Sequence, residues 1–175
     1  MKDFSVQRRI KFMHPCTENN FKISKEEMIE SLKKSVYKNR FKVYNTFLLQ
    51  DEDRWRRGKK KEFQDSLAND KLNYFAYVKF YLDKNDQNDQ NDKKYAIVAG
   101  KSGSTKVNQS GCDLSFSTKP EDGNARKWLQ ENKKQWCQTE ILVIWPEQTD
   151  KIDENEKEAF EIERYLQETF CLLGS

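Results

Sequence analysis

An α+β fold is what this sequence predicts, and three features predict it. Two runs are dense in aromatic and β-branched residues, as strands require. Other stretches repeat their apolar residues at helical spacing, and from Asn73 onward the elements follow in the order strand, strand, helix, strand, helix. At 175 residues the chain holds one compact domain, or a small catalytic domain with an extension of comparable size. Hydrophobic residues supply only 35% and charged residues another 35%, yet the 11 Phe, 7 Tyr and 4 Trp compensate, because each aromatic side chain buries a large area.

The first helix is expected from Ser24 to Lys38. Ser24 and Glu27 have the spacing in which each side chain satisfies the other's backbone amide, and Met28, Leu32 and Val36 then share a face with Ile29 beside them. Residues 40–49 fit neither the helical nor the strand period and are left open. A second helix is expected to begin near Asp51, with Trp55, Phe63 and Leu67 on one side. Tyr74 to Leu82 reads as a strand and Tyr95 to Ala99 as another, joined through the polar repeat of residues 86–92, which suits a flexible hairpin loop. From Gly100 to Gly123 the chain is rich in Gly, Ser, Thr and Asn, a long loop of the kind that often carries function. Asn124 can cap a helix that runs through Trp128 and Leu129 to Asn132, and Ile141 to Trp145, stopped by Pro146, reads as a buried strand. The last helix is expected from Asp153 to Cys171. Ala159, Ile162, Leu166 and Phe170 form its apolar stripe, and acidic residues crowd its first turn, where the helix dipole favours them.

Charge is unevenly spread. The net value is only +3, but residues 1–72 carry 18 Lys and Arg against 11 Asp and Glu, while the rest carry 14 against 18. Residues 1–72 thus read as a basic, mainly helical extension suited to a polyanion such as DNA. Within it, Arg54, Arg56, Arg57, Lys59, Lys60 and Lys61 put six cations into eight positions, where they would displace counterions from a phosphate backbone. A solvated basic helix face gives the same pattern, and Trp55 inside the run either packs in a core or stacks on a base. Cys16, Cys112, Cys137 and Cys171 form no CxxC pair, and the single His14 completes no zinc set, so reduced structural thiols are expected. With no apolar run near 18 residues and a polar stretch from Met1 to Lys11, no membrane partner and a cytoplasmic location are expected.

Three residues on separate elements combine into a site for phosphoryl transfer: Tyr77 in the first strand after Asn73, Arg126 at the start of one helix and Glu163 in the middle of another. Phosphodiester hydrolysis needs an activated nucleophile, an offset for charge building on phosphorus, and a stabilised leaving oxygen. A carboxylate-held divalent metal supplies the last two, and a guanidinium clamps the equatorial oxygens. These stations resemble the GIY-YIG nucleases over roughly residues 73–175. Phe75-Ala76-Tyr77 corresponds to the family's first tripeptide and Val98-Ala99-Gly100 to its second. Glu158 to Leu166 is similar to its acidic helix, with an Ala and three mostly apolar residues before Glu163 and a Leu three residues after it.

The resemblance implies a small three-stranded antiparallel sheet flanked by helices, forming a nuclease domain over residues 73–175. It also implies that Tyr77 helps deprotonate the attacking water, that Arg126 binds the scissile phosphate, and that Glu163 holds one Mg2+ or Mn2+. Three positions depart from the pattern: Phe75 and Ala76 replace the Gly and Ile of the first tripeptide, and Val98 replaces the Tyr of the second. Lys101, directly after Gly100, would place a cation where the missing hydroxyl acts, lowering the pKa of the water or of Tyr77.

The expected function is therefore a metal-dependent DNA endonuclease, of a restriction type or serving a mobile element or repair. A catalytically inactive DNA- or protein-binding module of the same fold is the alternative. A palindromic target would call for two sites and hence a homodimer. Each residue also has a plainer role: Tyr77 packing at a sheet edge, Arg126 pairing with Glu121 or Asp122, Glu163 serving as one more acid on a solvated helix. Other motifs fit less well. Gly100-Lys101-Ser102 copies the end of a P-loop, but Tyr95 stands where its first glycine must be. Glu131-Asn132-Lys133 falls at a helix end, away from the strands on which an acid-x-Lys nuclease site is built, and His14 has no companions for an HNH site. Lys106, Asn108, Gln109 and Lys119 are of the types that read base edges, as well as ordinary loop residues.

Overall fold

Ser24 and Glu27 cap a helix as their spacing predicts. In the computed structural model, which describes residue 16 and residues 18–50, 74–86, 93–103, 123–147 and 149–173, the Glu27 amide donates to Ser24 Oγ at 3.1 Å and the Ser24 amide to Glu27 Oε2 at 2.9 Å. That backbone donor holds the Glu27 carboxyl below its ordinary value of 4.5. The helix ends at Lys34 rather than Lys38. Ser35 Oγ donates to the Leu32 carbonyl at 2.6 Å and accepts from the Tyr37 amide at 3.1 Å, drawing the backbone out of the helical ladder. Val36, expected on the apolar stripe, is consequently 79% exposed.

The elements are α1 (Glu18–Phe21), β1 (Lys22–Ile23), α2 (Lys25–Lys34), β2 (Phe41–Gln50), β3 (Tyr74–Asp83), a 3-10 turn (Lys84–Asp86), β4 (Lys94–Gly103), α3 (Gly123–Glu131), β5 (Trp136–Pro146) and α4 (Ile152–Thr169). The α+β class and the antiparallel pairing are as predicted. The sheet, however, has five strands among the described residues, in the order β1-β4-β3-β5-β2, where three were expected. Both added strands precede residue 73. Strand β2 escaped the sequence pattern because its pairing with β5 shifts register between Val43 and Thr46, which breaks the alternation of faces. Strand β1 is too short to show any period.

β3 lies between β4 and β5 and is buried from Phe75 to Tyr81, so two covered faces explain an apolar run interrupted only by Lys79. Ala76, Val78 and Phe80 point to one face, joining Ala96, Ala99, Leu142 and Ile144 beneath Met28 and Leu32 of α2 and Ile162 and Leu166 of α4. Each of these large aliphatic side chains contributes about 1.5–3 kcal/mol by leaving water. Tyr81, Tyr95 and Ile97 form a second cluster with Leu129 of α3, against which Trp128 and Phe21 pack. The expected second helix near Asp51 lies outside the described residues.

The expectation of four reduced thiols is corrected for two of them: Cys16 and Cys171 form a disulfide across 155 residues of sequence. Their spacing carries no signal because the pairing is created by topology. The C-terminal segment after α4 returns to β4, where the Leu173 amide donates to the Ala96 carbonyl at 2.9 Å, on the side of the sheet edge occupied by β1. No helix among the described residues is long and apolar enough to cross a membrane.

Candidate functional site

Tyr77 sits in the middle of β3, register-paired with Gly100 on β4 and Val143 on β5, and is only 5% exposed. Its ring lies across Gly100. A Cβ at position 100 would fall 2.6 Å from the Tyr77 hydroxyl oxygen and 2.7 Å from the ring carbon that bears it, so only glycine admits the ring there. The glycine that ends the second tripeptide and the tyrosine that ends the first are thus one packing unit.

Glu163 approaches β4 from the opposite face of the sheet. It lies on α4 one residue past Ile162, whose side chain is fully buried against the sheet, and is itself half-buried. One turn later, Gln167 Nε2 donates both to Glu163 Oε1 at 3.1 Å and to the Ala99 carbonyl at 3.0 Å. Both partners are acceptors only, which is why the NH2 end of the amide faces them. The Ala99 carbonyl belongs to the peptide that leads into Gly100. Tyr77 and Glu163 therefore lie on opposite faces of the sheet at this point of β4: the tyrosine packs over Gly100 on the face away from α4, and the carboxylate is linked through Gln167 to the Ala99 carbonyl from the α4 side.

Of the other expected residues, Lys101 follows Gly100 in β4, paired with Ala76. Arg126 belongs to α3, one turn before Leu129, which packs against Tyr81 and Tyr95. This anchors α3 four residues, or about 13 Å, along β3 from Tyr77. Arg54, Arg56, Arg57, Lys59, Lys60 and Lys61 lie outside the described residues, as do Lys106, Asn108, Gln109, Lys119 and His14. Two neighbours were not singled out from sequence. Gln167 looked like one more polar residue of a solvated helix. Lys79 is 8% exposed on the same face of β3 as Tyr77, and its position within an apolar run was the only available signal.

A cavity of about 460 Å³ opens elsewhere, at the N-terminal end of α4, lined by Arg40, Glu147, Thr149, Glu154, Lys157 and Glu158. Arg40 is ion-paired with Glu158 there. The loop leading into α4 is held by fully buried Asn155, which accepts from the Thr149 amide at 2.8 Å and donates to the Thr149 carbonyl at 2.9 Å. The cavity contains neither Tyr77 nor Glu163, and volume alone gives it no chemistry. Comparison with protein-family models, with curated proteins and with solved structures finds no match to this chain.

Proposed function

We propose that this chain is a metal-dependent DNA endonuclease of the GIY-YIG type, with Glu163 at its centre. The observation that carries the proposal is the tie from Glu163 through Gln167 to the Ala99 carbonyl, which seats the acid of the resembling helix against the strand of the second tripeptide.

Glu163 suits Mg2+ or Mn2+ as a lone protein carboxylate, since these hard cations take one or two carboxylates and complete their shell with water and phosphate oxygens. Among the described residues no group of three or more His, Cys, Asp or Glu is assembled, so an ion here rests on Glu163 with water and substrate. When bound, it offsets charge on the phosphate and stabilises the leaving oxygen. The protein's own groups do the rest. Arg126 clamps the phosphate and Lys101 favours the ionised form of the attacking water, while Tyr77, the water-activating station of the resemblance, is buried on the face of β3 away from α4 and is set apart from Glu163. The basic run from Arg54 to Lys61 grips the DNA backbone. A nuclease with its own grip segment chooses sites by itself, which fits a restriction-type role, and a palindromic target would be cut by a homodimer.

Val98, in place of the second tyrosine, favours a second reading: a DNA- or protein-binding module that has lost cleavage. Supercoiled plasmid with Mg2+ or Mn2+ separates the two. The enzyme nicks or linearises it, and the activity disappears with EDTA and in Glu163→Ala. Lys101→Ala should lose cleavage while keeping DNA binding. Salt-sensitive binding without any cut under either metal would sink the enzyme reading.

A further inference from the structure

We infer that Gln167 is a positioning residue for Glu163, fixing the carboxylate against β4 without cancelling its charge; this rests on the proposed metal role of Glu163. A glutamate on a helix has three side-chain torsions, and left to itself it samples several orientations in water. The Gln167 amide removes that freedom in a particular direction. Its two N–H groups span from Glu163 Oε1, at 3.1 Å, to the Ala99 carbonyl, at 3.0 Å, so the acid is referenced to the strand rather than to its own helix. Spacing of four residues puts the two side chains on neighbouring turns of one helix face, which is what lets the bridge close.

The chemistry of the donor matters as much as its place. A carboxamide is neutral, so it orients the carboxylate without itself setting a positive charge against it. It engages one oxygen of a group with about four lone-pair positions. A lysine or arginine at 167 would hold the carboxylate equally well and neutralise it. Groups that orient a metal-binding side chain in this way typically change metal affinity or activity by about 10–100-fold when removed.

The test uses the full chain and Mn2+ alone, with binding followed by the electron paramagnetic resonance signal of the free ion, alongside cleavage kinetics. Gln167→Met keeps length and helix propensity but removes both hydrogen bonds. Its Mn2+ affinity should fall by about tenfold or more, and kcat should fall while KM for DNA stays level. Gln167→Lys restores donors and adds charge, and should bind Mn2+ more weakly than Gln167→Met while melting at the wild-type temperature. A residue that only pinned the helix would shift the melting temperature of Gln167→Met and leave Mn2+ affinity alone, and that result overturns the inference. Glu163→Gln is the reference. If it loses Mn2+ binding while Gln167→Met and Gln167→Lys keep it, the inference fails by itself. If wild type binds no Mn2+, or Glu163→Gln binds it as wild type does, the metal role of Glu163 fails and the inference goes with it.

Discussion

Glu158 and Glu163 stand five residues apart on α4, and they are held in opposite ways. Glu158, at the cavity end, is ion-paired with the guanidinium of Arg40, so its charge is spent on joining the helix to the turn before β2. Glu163, at the β4 end, is held by the neutral amide of Gln167. The two ends are also anchored differently. The N-terminal end relies on that ion pair and on the buried Asn155, the C-terminal end on Gln167 and, just beyond the helix, on the Cys16–Cys171 disulfide. One helix thus carries an acid held by a cation and an acid held by a neutral amide donor.

The largest effect that would break this contrast is on cleavage. Glu163→Gln should lower kcat by on the order of 10³-fold, about 4 kcal/mol of transition-state stabilisation. Glu158→Gln should leave the rate within about twofold, a change well under 1 kcal/mol. Equal losses in the two variants would erase the distinction. Next comes the covalent anchor. Cys171→Ser, or reduction of the wild-type protein, should cost about 2–5 kcal/mol, because opening the cross-link frees a very long loop in the unfolded chain. Matching thermal midpoints with and without dithiothreitol would contradict it.

Smaller still is Gly100→Ala, which should destabilise by about 1–3 kcal/mol as the new methyl displaces the Tyr77 ring. Shortening Tyr77 to Ala in the same chain should relieve the strain, and the thermal midpoints of the single and double variants check it. Arg40→Ala should cost no more than about 1 kcal/mol, since the guanidinium is half exposed, and should spare cleavage.

The smallest effect is a control remote from Glu163 and its bridge to β4. Because Glu27 titrates below its ordinary value, its contribution to stability is present above pH 4.5 and is lost as the pH falls through the lower folded-state value. Glu27→Gln keeps an acceptor for the cap but cannot titrate, so denaturation curves between pH 6 and pH 3 should show a shallower acid dependence than wild type. A steeper one would reverse the sign.

Much of the frame was legible in advance because it depends on neighbours in sequence. The capping pair Ser24 and Glu27, the aromatic run of β3, the apolar stripe Ala159, Ile162 and Leu166, and the order of elements after Asn73 are local patterns, and local periodicity reads them well. What was missed is non-local. The register shift inside β2 hid a full strand, and the early exit at Ser35 turned Val36 from a core residue into an exposed one. Gln167 gave no sign of itself, because its two partners are a turn away on the helix and 68 residues away on the strand.

Residue chemistry and short-range spacing, then, determined the α+β class, most of the strands and helices, and the candidate residues Tyr77 and Glu163. Only the tertiary structure decided that the sheet gains strands from before residue 73, that Cys16 meets Cys171, that Tyr77 packs over Gly100, and that Gln167 ties Glu163 to the Ala99 carbonyl. The physical reason is that helix and strand patterns are set by contacts within a few residues. Pairing partners, cross-links and the packing of one side chain over another are set by which distant segments the burial of the core brings together.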